Sequence, residues 1–138
     1  MAITFHVEGQ PVPQPRVRVS SAGGFARAYV PAKHPVHAYR KAIEAAARKA
    51  GVMPASEPVD VVVMAQFERP KSHMTKNGVK ATAPRLPRPD VDNVGKAVLD
   101  ALQPVLGDDT IVGRLVIAKR YSDAGMTSVT IQAMSENT

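Results

Sequence analysis

The chain carries the stretch Arg88-Pro89-Asp90-Val91-Asp92-Asn93-Val94-Gly95-Lys96, and the turn Gly107-Asp108-Asp109 ends the same region. Apolar side chains recur between these two motifs at the spacing of one helical face: Val91, Val94, Val98, Ala101, Leu102 and Val105. Pro89 and Asp90 are typical of a helix start, because an aspartate can accept hydrogen bonds from the free amides of the first turn. The pattern predicts an amphipathic helix from Asp90 to about Gln103, since Pro104 fits poorly inside a helix.

The segments around this helix predict one mixed sheet. Residues 2–8 alternate apolar and polar side chains like a half-buried strand, and 59–67 is an almost continuous apolar strand that we expect to be central. A helix is predicted over about 36–50, and residues 111–121 and 127–134 are expected to form a closing β-hairpin. The order of elements predicts an α+β fold, with about four strands and two helices packed on them, in a single domain over residues 1–138.

The amino-acid composition limits the kinds of partner and site that the chain can have. The formal net charge of +6 over 138 residues favours an anionic partner, and nucleic acid is the first candidate. The absence of cysteine excludes disulfides, thiolate metal sites and a cysteine nucleophile. The sequence has no signal-peptide pattern and no apolar run of the roughly 20 residues that a membrane helix needs, so we expect a cytoplasmic protein without a membrane partner.

Positive charge is concentrated in two segments that contain no acidic residue. These segments, between Glu8 and Glu44 and between Glu68 and Asp90, hold two-thirds of the 18 lysines and arginines. Solvated loops tolerate charge, which is the simpler explanation for one such run. Two runs without counter-charges favour arms that bind phosphates. The candidate DNA-binding residues are Arg16, Arg18, Arg69, Lys71, Lys76, Arg85 and Arg88.

The aspartates also allow two interpretations. A lone aspartate at a helix start is usually a cap, and Asp90 alone would suggest nothing more. Together with Asp92, Asp108 and Asp109 in a basic chain, it suggests a cation site, because unpaired carboxylates repel one another unless a cation joins them. An EF-hand loop starting at Asp90 is excluded, since Val94 and Ala101 stand where oxygen ligands are required. Hard oxygen ligands beside phosphate-binding cations suit Mg²⁺ or Mn²⁺ and phosphodiester hydrolysis.

The run from Arg88 to Leu102, with its D-x-D-N-x-x-K-x-x-x-D-A-L pattern and the later Asp108-Asp109, resembles the RusA family of Holliday-junction resolvases. The resemblance extends to residues 9–18, to Tyr29-Val30-Pro31 and to the predicted final hairpin, and it is weaker over residues 69–88. Such proteins are typically of bacterial or prophage origin and act in DNA recombination and repair. The resemblance implies a RusA-like α+β fold and a homodimeric, Mg²⁺-dependent endonuclease that acts on four-way junction DNA.

The resemblance also implies roles for particular residues. The acidic metal-site positions map onto Asp90, Asp92 and the Asp108-Asp109 pair, of which Asp109 is favoured as the catalytic ligand. The functional lysine maps onto Lys96, whose simpler alternative is a surface ion pair with Asp92 or Asp100. We expect Mg²⁺ as the cofactor, with Mn²⁺ also supporting activity, and no small-molecule cofactor.

Two other functions are open on the sequence alone. One is a metal-dependent nuclease without junction preference. The other is a basic DNA-binding module whose aspartates only cap a helix. Metal-dependent nicking of any DNA separates the second from a nuclease, and a comparison of junction with linear duplex separates the two nucleases.

Overall fold

A computed structural model describes residues 2–15, 18–20 and 27–134, and for 18–20, 27–29 and 109 it describes the backbone only. The strands are β1 (Ala2–Glu8), β2 (Arg18–Ser20), β3 (Arg27–Tyr29), β4 (Val59–Glu68), β5 (Met74–Thr75), β6 (Gly78–Val79), β7 (Val112–Ser122) and β8 (Met126–Ala133). The helices are α1 (Val36–Lys49) and α2 (Val91–Leu106), and short 3₁₀ turns lie at Lys71–His73 and Asp109–Ile111.

Four strands form one mixed sheet in the order β1-β8-β4-β7. β4 lies inside it, antiparallel to β8 and parallel to β7, with Val63 opposite both Val129 and Ile117. The odd-numbered residues of β4 from Val61 to Phe67 are buried under the helices. The predicted α+β fold, the mixed sheet of four strands and the central position of β4 are therefore confirmed.

The predicted hairpin of the last two strands is wrong. β7 and β8 are both bonded to β4, which lies between them, and β8 pairs with β1 on its other side. The short turn of residues 123–125 crosses the end of β4 instead of joining neighbouring strands. Turn residues between two apolar runs predict a hairpin from local sequence, whereas an apolar strand such as β4 gains more by pairing on both edges.

Both helices pack on one face of the sheet. α1 buries Val36, Tyr39, Ile43 and Ala47, and α2 buries eight residues along one side. Tyr39 ties α1 to the sheet, because its hydroxyl lies 2.5 Å from the hydroxyl of Thr127 in the buried interior. Burial raises the pKa of Tyr39 to about 12, and the hydrogen bond with Thr127 lowers the pKa by less than burial raises it. No helix within the described ranges is long and apolar enough to cross a membrane.

α2 runs antiparallel to β7, and this arrangement positions the candidate site. Gly95 allows the close approach, since a Cβ there would lie 3.1 Å from a methyl carbon of Leu115. The helix extends to Leu106, so the expected end near Gln103 is wrong. Pro104 lies in the last turn, where its missing amide removes one hydrogen bond while burial of Val105 and Leu106 stabilises the turn.

Candidate active site

Asp90 begins α2 without acting as a side-chain cap. Its backbone is extended, and its carbonyl accepts hydrogen bonds from the amides of Asn93 and Val94 at 3.1 and 3.3 Å. Its carboxylate makes no capping hydrogen bond, and within the described part of the chain it has no ion-pair partner. The carboxylates of Asp90 and Asp92 are both exposed, so the structure does not use Asp90 in the way that the capping interpretation requires.

Lys96 lies one helical turn beyond Asp92 and is exposed. The simpler alternative for this lysine is a surface ion pair with Asp92 or Asp100. Neither pair comes within 4.0 Å among the described side chains, where the two ion pairs present are Arg48 with Glu44 and Arg114 with Asp60. The ammonium group of Lys96 is therefore available to an external anion on the same helical end as the two aspartates.

The other pair of aspartates lies at the opposite end of α2. A helix of 16 residues is about 24 Å long, so one chain separates Asp92 from the Asp109 turn by several times the span of a metal site. One carboxylate oxygen of Asp108 accepts a hydrogen bond from the amide of Thr110 at 3.0 Å, which starts the 3₁₀ turn. Among the described side chains, no three histidines or acids lie close enough together to hold a metal ion.

The segment between β4 and α2, residues 69–90, forms a basic loop beside Asp90. It contains a 3₁₀ turn and the short β5–β6 hairpin, so part of it is regular structure. Five of its cations are exposed and have no ion-pair partner among the described residues: Lys71, Lys76, Lys80, Arg85 and Arg88. A run of unpaired cations beside two exposed carboxylates is suited to holding a phosphate backbone next to a cation site.

Arg69 has a different environment from the other cations of the basic loop. Its guanidinium carbon lies 4.2 Å from the centre of the Tyr121 ring, and the same group donates a hydrogen bond to the carbonyl of Pro84 at 3.0 Å. His73 packs against the edge of Tyr121, with ring centres 5.6 Å apart. Arg69 thus anchors the loop to the end of β7, and its contact with phosphate stays a prediction.

The N-terminal loop reaches the same end of α2. The amide of Gln14 donates to the carbonyl of Asn93 at 2.8 Å, and its side-chain oxygen accepts a hydrogen bond from Arg40. The side chain of Gln10 binds the amide of Glu68, where the basic loop begins. Of the two predicted DNA-binding residues that follow, Arg16 lies outside the described residues and Arg18 is described only in its backbone.

The sequence model of the family Endodeoxyribonuclease RusA matches residues 8–132 of the chain. The chain belongs to the RusA family. The match covers both helices, the strands from β2 to β7, all of β8 except its last residue, and all the aspartates discussed above, but only Glu8 of β1. No curated protein matches the sequence at a significant level.

Membership of the RusA family identifies the chain as an endodeoxyribonuclease, and DNA as its substrate. Asp90, Asp92 and Lys96 lie at the start of α2, next to the basic loop, and their roles in metal binding and cleavage stay predictions. The RusA fold does not bring Asp108 and Asp109 to them within one chain.

One further residue, which the sequence patterns do not single out, lies beside this end of α2. Lys119 of β7 donates hydrogen bonds from its ammonium group to the carbonyls of Pro87 and Pro89, at 2.7 and 2.8 Å. Its position in β7 corresponds to the buried Ala65 of β4, so it belongs to the face that carries the helices. A lysine at an inward position of a predicted strand is the signal that could have identified it.

Proposed function

We propose that the chain is a Mg²⁺-dependent, structure-selective endonuclease that resolves Holliday junctions by paired nicks as a homodimer, in DNA recombination or repair. The observation that carries this proposal is the exposed Asp90-Asp92 pair, free of capping and ion-pair contacts within the described chain, beside the unpaired cations of the basic loop. The RusA family supports the nuclease activity on which the finer statement rests.

The donor set fits Mg²⁺ or Mn²⁺. Asp90 and Asp92 offer carboxylate oxygens, the ligands that these hard cations prefer. Asp109 is the third expected ligand, because its neighbour Asp108 already binds the amide of Thr110. A bound divalent cation would orient and deprotonate water and offset negative charge on the scissile phosphate. Lys96 would add a positive charge to the phosphate from one turn further along α2.

The length of α2 favours a dimer in which each site uses both chains. Asp92 and the Asp109 turn lie about 24 Å apart along one helix, whereas two ligands of one cation lie within about 5 Å of each other. An antiparallel copy of α2 beside the first would bring the opposite ends together. Each site would then consist of Asp90 and Asp92 from one protomer and Asp109 of the partner subunit, and a two-fold axis would produce two such sites.

β7 offers a surface for this two-fold contact. It is an edge strand of 11 residues, and Leu115 and Val116 near its middle are each 36% exposed. Long exposed edge strands readily pair with another chain. Antiparallel pairing centred between Leu115 and Val116 would place Val112 opposite Lys119 of the partner subunit. Since Ile111 ends the Asp109 turn and Lys119 contacts Pro89, this pairing would complete the site.

A two-fold dimer also suits the substrate. Resolution of a four-way junction requires two cuts in opposed strands, and two equivalent sites related by a two-fold axis supply them. The exposed cations of the basic loop would hold the junction arms by their phosphates, together with Arg16 and Arg18 from the N-terminal segment. These contacts position the backbone without reading its sequence.

The test compares a four-way junction with a linear duplex of the same sequence, in Mg²⁺, in Mn²⁺ and in excess chelator. We expect paired nicks in the junction with either metal and none in chelator. Equal rates on both substrates would indicate a nuclease without junction preference. Binding without any cleavage would indicate a DNA-binding module. The same assay is run on Asp92→Asn, which should not cut. Asp123→Asn neutralises an exposed carboxylate in the β7–β8 turn and serves as the charge control for that variant.

A further inference from the structure

An ion pair does not explain the position of the Lys119 side chain. It is partly buried on the helix-bearing face of β7, and no carboxylate within the described chain pairs with it. Its ammonium group instead binds the carbonyls of Pro87 and Pro89, which flank Arg88 and directly precede Asp90. A lysine that is partly removed from water therefore holds a stretch of backbone 30 and 32 residues away in sequence.

The segment that Lys119 holds has few other attachments. Pro87 and Pro89 have no amide hydrogen to donate. Within the described structure, residues 85–89 donate no hydrogen bond, and their carbonyls accept bonds only from Lys119. The next backbone bonds belong to the carbonyl of Asp90, which accepts from the amides of Asn93 and Val94. Lys119 is thus the polar attachment of this segment to the sheet.

We infer that Lys119 is a positioning residue for DNA cleavage. By holding the carbonyls on both sides of Arg88, it fixes the direction in which the Arg88 guanidinium and the Asp90 carboxylate leave the protein surface. The inference rests on the proposed function, because it assumes that Asp90 is a cation ligand. Lys119 acts through Asp90 and Arg88 and does not itself touch the substrate.

The consequence is a loss of turnover with little loss of binding. Groups that orient a metal ligand without touching the metal typically contribute about 10- to 100-fold to metal affinity or activity. Lys119→Met keeps the length and the apolar stem of the side chain and removes both hydrogen bonds. We expect Lys119→Met to lower kcat by about 10- to 100-fold and to raise the Mg²⁺ concentration needed for half-maximal cleavage. Junction affinity measured in chelator should stay within about twofold of the wild type.

The experiment compares Lys119→Met, Lys119→Arg and Lys49→Met. Arginine can reach both carbonyls with its several donors and should restore kcat to near the wild-type value. Lys49→Met makes the same substitution at the end of α1, away from β7, where the exposed lysine has no ion-pair partner among the described residues. It should leave kcat unchanged. The first readout is kcat and KM for junction cleavage over a Mg²⁺ titration.

The second readout does not depend on activity. In metal-free Lys119→Met, amide hydrogen exchange should become faster in a peptide covering residues 86–95, at the amides of Asn93 and Val94 that bond to the Asp90 carbonyl, while a peptide from β4 keeps its protection. Wild-type protection of residues 86–95 in Lys119→Met would overturn the inference, whether or not the wild-type protein cuts DNA. Failure of the wild-type protein to cut, with faster exchange in the variant, would instead overturn the proposed function and reduce Lys119 to a structural support.

Two further outcomes would also overturn a positioning role. One is a weaker junction affinity in chelator with an unchanged kcat, which would make Lys119 a DNA contact. The other is equal loss of kcat in Lys119→Arg, with thermal stability intact, because the hydrogen bonds would then not be the cause. If Lys119→Met does not fold, Lys119→Gln replaces it. The shorter side chain of glutamine reaches the two carbonyls less well, so wild-type kcat in Lys119→Gln would refute the inference.

Discussion

A mixture of two inactive variants should recover activity if each site uses both chains. Asp92→Asn damages the start of α2 and Asp109→Asn damages the turn beyond its end, about 24 Å away in the same chain. In a mixed dimer, one site combines both damaged residues. The other site combines the undamaged Asp92 of one protomer with the undamaged Asp109 of the partner subunit.

The size of the recovery follows from counting. Random exchange of protomers makes half of the dimers mixed, and each mixed dimer has one of its two sites intact, so about a quarter of the wild-type sites are restored. Because a mixed dimer has a single active site, the main product should be a junction nicked in one strand. Paired nicks should be rare. The assay is denaturing electrophoresis of an end-labelled four-way junction in Mg²⁺, after subunit exchange.

The matched control is a mixture of Asp92→Asn with Asp90→Asn. Both substitutions damage the same end of α2, so neither site of their mixed dimer is intact and no activity should return. Copurification of differently tagged protomers establishes that exchange took place. Absence of recovery in the first mixture, with exchange established, would refute the composite site. Equal recovery in both mixtures would refute it as well.

Three other predictions concern individual side chains of the candidate site and the core. Asp90→Asn should abolish cleavage. Junction binding in chelator should stay equal or become tighter, because loss of a carboxylate removes repulsion from phosphate. Near wild-type cleavage in this variant would exclude Asp90 as a ligand. Neutralising Arg85 and Arg88 together should lower the slope of log affinity against log salt by roughly 0.9 per lost phosphate contact, and an unchanged slope would make them solvated residues. Tyr39 ionises near pH 12 in the folded state, above its ordinary value, so the free energy of unfolding should fall by roughly 1.4 kcal/mol per pH unit between about 10 and 12. Urea unfolding across this range should show the loss in the wild type, and the same slope in Tyr39→Phe would assign the loss to another group.

Local sequence patterns were enough to predict both helices, the central strand and the basic segment before Asp90. Helical spacing identified α2 and its start at Asp90, and the apolar run identified β4 as central, because each pattern reports which face of a local element is buried. The concentration of cations before Asp90 was also visible, since a loop adjacent in sequence to a helix start lies beside it in space.

Contacts between distant segments are not encoded in local patterns and become visible only in the folded chain. Strand neighbours depend on pairing between distant segments, so only the fold shows that β4 separates β7 from β8. The sequence leads us to expect that Asp92 and Asp109 bind the same cation. The length of α2 shows that within one chain they lie at opposite ends of the helix. The bonds from Lys119 to Pro87 and Pro89 exist because α2 runs antiparallel to β7, and no spacing in the sequence reports a contact between a side chain and backbone carbonyls more than 29 residues away.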